Sequence, residues 1–169
     1  MTTTHAIIDT PIGDLTLVGA DGALTGVYYP GHWTMPDRAT FGPRAEGGFQ
    51  DAGRQLTEYL EGERTTFDLR TSVAGDAFQR RVWALLAEIP YGETTTYGTL
   101  ARALGDPALA RMVGRAVGAN PLSVIVPCHR VIGTDGTLTG YAGGLERKRF
   151  LLALEVPAVW GLEPVPRLF

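Results

Sequence analysis

The hydrophobic period changes near residue 74, and that change bounds what the chain can fold into. Up to Tyr29, apolar and polar residues alternate through Thr4 to Ile8, Leu15 to Val18 and Leu24 to Tyr29. A period of two lines one face of a strand. Pro11-Ile12-Gly13-Asp14 and Asp21-Gly22 separate these runs, and turn residues at those points predict antiparallel hairpins. From residue 78 the period is 3.6. Phe78, Val82, Leu85, Leu86 and Ile89 share one side of a helix that Pro90-Tyr91-Gly92 ends. Strands first and helices later predict an α+β fold, with a small antiparallel sheet and helix ahead of a helical second half.

The stretch from Pro30 to Gly48, rich in Gly, Pro and Arg, is expected to be a loop. Phe49, Leu56, Tyr59 and Leu60 then fit one helix face closed by Gly62, and Thr66 to Val73 is expected to add a strand. Ala74-Gly75-Asp76 breaks the pattern. The boundary falls there, giving an N-terminal domain of residues 1–73 and a C-terminal domain of residues 74–169.

In the second half Thr96 can cap a helix whose inward face is Tyr97, Leu100, Ala101 and Leu104, closed by Gly105. Asp106-Pro107 opens another over Ala108 to Gly118. Two short helices joined by a tight glycine turn have the form of a helix-turn-helix. Ser123 to Val126 is expected as a short strand, and Thr134-Asp135-Gly136-Thr137 as the turn of a hairpin over Val131 to Tyr141, which would complete a winged helix. Gly143-Gly144 opens a last helix with Leu151, Leu152 and Leu154 and the basic run Arg147-Lys148-Arg149; the Pro-rich tail from Val156 is expected to lie over the surface.

The net charge of −3 seems unsuited to a polyanionic partner, but it is unevenly spread. Residues 1–73 carry 5 Lys or Arg against 10 Asp or Glu, and residues 74–169 carry 10 against 8. A nucleic acid would therefore meet the second half, whose Ala108 to Gly118 helix sets Ala110, Gly114, Ala116 and Gly118 among Arg111 and Arg115. Small residues there serve either close approach to a phosphate backbone or close helix packing.

No apolar stretch approaches the roughly 20 residues needed to span a bilayer, and the N-terminus lacks a signal-peptide pattern, so a cytoplasmic protein is expected. One cysteine excludes an internal disulfide and a Cys-rich zinc site. His5 and His32 have no clustered partners in the sequence and are expected at the surface, with no metal and no cofactor.

That single thiol lies in Pro127-Cys128-His129-Arg130-Val131. A lone cysteine is by default a small buried hydrophobe, whereas an adjacent histidine can supply the base that a nucleophilic thiolate needs. The segment Val126 to Val131 resembles the active-site motif of the O6-alkylguanine-DNA alkyltransferases. The resemblance extends with consistent spacing through Phe78-Gln79-Arg80-Arg81-Val82-Trp83, Ile89-Pro90-Tyr91-Gly92-Glu93-Thr94, Thr96-Tyr97-Gly98, Gly118-Ala119-Asn120-Pro121 and Gly140-Tyr141-Ala142-Gly143-Gly144, covering residues 75–155.

The resemblance implies DNA repair by direct reversal. An alkyl group on O6 of guanine, and on O4 of thymine, would pass to Cys128 once and irreversibly. His129 would take the thiol proton through a water, Glu155 would orient and stabilise the imidazole, and Asn120 would tie the DNA-binding helix to the active-site segment. Tyr97, Val117, Tyr141 and the backbone of Cys128, Val131 and Ala142 would hold the extruded base. Arg111 would fill the emptied stack, while Arg115, Ala110 and Gly114 meet the backbone. The implied partner is double-stranded DNA carrying O6-alkylguanine, bound by a monomer with scope for cooperative assembly on DNA. An ion pair in the relay would lower the thiol pKa and raise that of histidine. The alternatives are a lesion-binding alkyltransferase-like protein, which replaces the acceptor cysteine, and a winged-helix regulator whose cysteine senses oxidants or alkylating agents.

Overall fold

The computed structural model describes residues 2–45 and 47–161. Strands β1 (Thr3–Thr10), β2 (Gly13–Ala20) and β3 (Ala23–Tyr28) form an antiparallel sheet in that order, with Thr3 opposite Ala20 and Ala20 opposite Ala23. The second turn is Asp21-Gly22, both at positive φ (53° and 78°), as a two-residue hairpin requires. The sheet packs on α1 (Gln50–Leu60), whose buried face includes Leu56, Tyr59 and Leu60.

Helix α2 (Ala77–Ala87) starts from a capping box in which Asp76 Oδ1 accepts from the Gln79 amide at 2.7 Å and Gln79 Oε1 from the Asp76 amide at 3.0 Å. The pair β4 (Thr95–Thr96) leads into α3 (Tyr97–Ala103), capped by Thr96. A helical turn capped by Asp106 then runs into α4 (Ala110–Gly118), which packs on α2 and α3. Val131–Ile132 (β5) pairs in parallel with β4, and α5 (Leu145–Glu155) and α6 (Pro157–Trp160) close the described chain. The fold is α+β, as expected. One continuous core joins Leu17, Leu56 and Tyr59 to Val82, Val113 and Leu151, crossing residue 74 without a break.

Three expected extended segments differ. Thr66 to Val73 meets β3 at one bridge, Leu24 to Thr71. The Gln55 amide takes up both backbone groups of Asp68, at 2.8 and 3.0 Å, which a longer ladder would have used. Ser123 to Val126 is a tight turn, not a strand. Val124 sits at φ 72°, and the Val126 amide donates back to the Leu122 carbonyl at 2.9 Å. The wing reduces to a turn in which the Gly133 amide donates to Thr137 O at 2.9 Å. Its return arm forms no ladder, because the buried Lys148 ammonium donates to Val131 O, Thr139 O and Gly140 O and so binds the two arms itself.

His32 is also not at the surface. It is buried, its ring stacked on Tyr29 and edge-on to Tyr28, and its Nδ1 accepts from the Tyr29 amide at 3.3 Å. His5 is half-buried, with Nδ1 3.0 Å from Gly42 O. Of the Pro-rich tail, Pro157 to Trp160 is helical, and residues 162–169 lie outside the described residues.

Candidate active site

Asn120 governs the exit from α4. Its Oδ1 accepts from the Leu122 amide at 3.0 Å and its Nδ2 donates to Val126 O at 2.9 Å, closing the turn that aims the chain into Pro127. Cys128–Arg130 then forms a short helical turn that runs into β5. Cys128 is 5% exposed. Burial pushes its thiol up, against the lowering pull of the Asn120 amide, the Lys148 charge and the Tyr141 hydroxyl.

His129 is fully buried with Nε2 2.8 Å from Glu155 Oε2. Burial alone would raise the Glu155 carboxyl, but hydrogen bonds from His129, Arg130 and Tyr59 hold it well below the usual carboxylate range. Arg130 grips it with two bonds of 2.8 Å, Nε to Oε1 and Nη2 to Oε2, and its Nη1 donates to Ile89 O at 2.6 Å. The Tyr59 hydroxyl donates to Oε2, and the Gly92 amide donates to Oε1 at 3.2 Å. An ionised carboxylate so placed only accepts, so His129 Nε2 carries the proton and Nδ1 presents a lone pair. Nδ1 makes no hydrogen bond to the described protein.

Both pKa directions expected for the Cys128-His129 pair are reversed. Burial raises the thiol and lowers the imidazole; for His129, Arg130 and Lys148 reinforce the lowering while Glu155 opposes it. The resting pair is neutral thiol and neutral imidazole, because desolvation penalises both charged forms more than the neighbours favour them.

A cavity of about 580 Å³ lies between α3, α4 and the 139–142 segment; Cys128 does not line it, but Tyr141, which does, hydrogen-bonds the thiol. Tyr97, Ala110, Arg111, Gly114, Arg115, Val117, Tyr141 and Ala142 all line it, so the structure brings together eight of the residues expected from the sequence. Val131 does not reach it: the side chain is fully buried, the amide donates to Cys128 O and the carbonyl accepts from Lys148. Tyr141 is buried, with its hydroxyl 2.7 Å from that of Tyr29. Another cavity, of about 450 Å³, opens beside the β2–β3 turn and holds neither cysteine nor histidine.

The small residues of α4 divide by face. Ala116 is buried, and its carbonyl accepts from Trp83 Nε1 at 2.7 Å. A Cβ on Gly114 would meet only the Tyr97 ring, at 3.8 Å, and one on Gly118 would meet nothing within 4 Å. Packing within this chain therefore does not require glycine at either position.

Sequence reasoning missed five participants. Arg130 stood in the quoted motif without a role, and Tyr59 read only as a helix-face residue. Lys148 was part of a basic run whose burial no local pattern reveals. Trp33 and its neighbour Thr34 sat in the 30–48 loop, yet both line the cavity.

Fold and site together define a helix-turn-helix protein with a buried thiol, a buried histidine-carboxylate pair next to it in the chain, and a cavity along the second helix whose Tyr141 reaches the thiol. Family models described as the DNA binding domain and the ribonuclease-like domain of 6-O-methylguanine DNA methyltransferase match residues 77–156 and 4–73. The chain belongs to the 6-O-methylguanine DNA methyltransferase family. It is 51% identical over 153 residues to a "Methylated-DNA--protein-cysteine methyltransferase" of Mycolicibacterium paratuberculosis, covering 89% of this chain and 91% of that one. A relative of the same name in Methanosarcina acetivorans is 45% identical, with 89% and 97% covered. The crystal structure of Mycobacterium tuberculosis OGT in complex with DNA superposes with a TM-score of 0.86 at 49% identity, covering 90% of this chain and 92% of that one.

Proposed function

We propose that this protein repairs alkylated DNA by moving the alkyl group of O6-alkylguanine, and of O4-alkylthymine, onto Cys128 Sγ, once per molecule. Alkyl transfer in DNA repair is the activity of the family to which the chain belongs, and DNA is the partner, as in the complex of the M. tuberculosis relative. The observation that supports the residue assignment is the Tyr141 hydroxyl, which hydrogen-bonds the Cys128 thiol and lines the cavity of α4, with the buried His129-Glu155 pair next to Cys128 in the chain.

The alkyl carbon is saturated, so it is displaced in line. Sγ forms the new bond as the carbon–O6 bond breaks, and guanine leaves with the bonding pair. With the thiol neutral at rest, its proton must leave during the attack. A water relays it to His129 Nδ1, and the resulting imidazolium is held by the Glu155 carboxylate. Arg130 and Tyr59 keep that carboxylate ionised in a buried place. The product is a thioether, which no group of the site can cleave, so turnover is single.

The O6 atom of a stacked base cannot be approached along the required line, so the nucleotide rotates out into the cavity. Arg111 takes its place in the stack, Tyr97, Val117 and Tyr141 hold the base, and Arg115 with the backbone at Ala110 and Gly114 meets phosphates. The Ala142 backbone, and the second lone pair of the Cys128 carbonyl, serve the base edge. The boundary at 73/74 separates a supporting domain from this reactive one, and the protein works as a cytoplasmic monomer that can assemble cooperatively along DNA.

Intact mass after incubation with duplex DNA carrying a labelled O6-alkylguanine tests the reading. One alkyl increment on wild type and none on Cys128→Ser is the expected result. Wild type that binds the lesion without gaining mass would favour the lesion-binding or sensor alternatives.

A further inference from the structure

We infer that Trp33, supplied by the N-terminal loop, is a substrate-contacting residue that stacks on the extruded base and closes the mouth of the cavity. The inference rests on the reading of the cavity as the base pocket. Trp33 is 68% exposed, an unusual position for the largest apolar side chain in a loop that carries no other exposed large hydrophobic group among the described residues. It lines the same cavity as Tyr97, Arg111 and Tyr141. The loop that carries it is fastened to both walls: the Trp33 amide donates to Ala142 O at 3.1 Å, and Thr34 Oγ1 donates to Gly118 O at 3.0 Å. Behind it, His32 is buried against Tyr29. The indole is thus exposed on a backbone that is held in place, as an aromatic face awaiting a flat partner would be.

The chemistry of the partner follows from what the cavity already offers. About 580 Å³ is within the usual size of small-ligand sites, and it has aromatic walls at Tyr97 and Tyr141. A purine that has lost its neighbours in the duplex gains most from an aromatic surface, and the interaction tolerates any substituent at O6. Trp33 lies outside the Cys128-His129-Glu155 line, so its effect falls on binding and not on bond breaking.

The test uses the full chain and free O6-benzylguanine at saturating and limiting concentrations. Trp33→Ala should raise the half-saturating concentration about tenfold, the scale of base–aromatic stacking, while the limiting rate of Cys128 alkylation stays within about twofold of wild type. Trp33→Phe should restore most of the affinity. In a Cys128→Ser background, guanine-base binding should quench tryptophan fluorescence, and Trp33→Phe should remove that quench although Trp83 and Trp160 remain. An unchanged half-saturating concentration in Trp33→Ala overturns the inference, as does a quench that survives Trp33→Phe. Failure of wild type itself to become alkylated would instead overturn the reading on which it rests.

Discussion

Burial holds Cys128 protonated at neutral pH, so its reactivity depends on the base beside it and on the medium. Between the lowered pKa of His129 and the raised pKa of the Cys128 thiol, both groups are neutral, so the population of the reacting thiol-imidazole pair does not change with pH. The second-order rate with O6-benzylguanine should therefore be level across neutral pH, from about pH 7 to 8, because relay of the proton to neutral His129 during the attack needs no prior ionisation of the thiol. A rate that instead climbs about tenfold per pH unit over that range would mean that the thiol ionises to bulk solvent before the attack and that His129 relays no proton. Glu155→Gln removes the acceptor of three side chains and leaves the Arg130 guanidinium buried without its partner. Unpairing a buried charge costs about 3–5 kcal/mol, to be read in denaturant melts, and loss of imidazolium stabilisation should slow transfer at neutral pH by at least about tenfold. Tyr59→Phe separates the two effects, because it keeps both charges and removes one hydrogen bond to a carboxylate, at a cost of about 1.5–3 kcal/mol. If folded Glu155→Gln reacts at the wild-type rate, the relay is wrong.

Helix α4 concentrates the recognition chemistry, and its glycines allow packing and DNA approach to be told apart. Alanine at 114 would find ordinary contact distance to Tyr97 and would improve helix propensity, so Gly114→Ala should leave stability unchanged or raise it by about 0.5–1 kcal/mol. If the open face exists for the phosphate backbone, the same variant should slow repair of duplex DNA several-fold while sparing reaction with the free base. Equal rates on both substrates would return Gly114 to the structural background. The caps at Thr96 of α3 and at Asp106 of the helical turn before α4 were legible because each uses a short-range side-chain-to-backbone bond with a sequence signature, whereas the role of Asn120 in linking α4 to the reactive turn was legible only through the family resemblance. The missing strands were not. Whether Thr66 to Val73 or the 131–141 segment builds a ladder is decided by Gln55 and Lys148, side chains remote from those segments in sequence that take the backbone groups first.

At the scale of the molecule, the halves on either side of residue 74 share one core and one functional centre, since Tyr59 of α1 reaches Glu155 of α5 and Trp33 borders the cavity of α4. A period change marks where element types switch, but it says nothing about which residues meet across the junction; that is why the participants from the first half went unseen. His32 belongs to this junction, buried against Tyr29 with the Arg147 charge nearby, and it couples the junction to pH. Burial first, and then Arg147, lowers its pKa from 6.5 to about 4. The unfolded chain therefore binds the proton first as pH falls. The neutral ring's contribution is whole above about pH 6.5 and is lost progressively down to about pH 4, by about 3 kcal/mol in all and about 2 kcal/mol of it between pH 7 and 5. The lowered His129 draws on the same window, whereas Glu155, held far below the carboxylate range, adds its loss only below about pH 4.5. Urea melts of wild type at pH 7 and 5 should show this fall, and His32→Gln, which cannot take up a proton, should show a fall smaller by about 2 kcal/mol whatever its stability at pH 7. The two tyrosines facing His32 do not titrate in this range, and Arg147 stays charged, so among the described residues none of these neighbours of His32 mimics the difference. Equal falls in the two proteins would mean that His32 binds protons as readily folded as unfolded and that the junction opens around it.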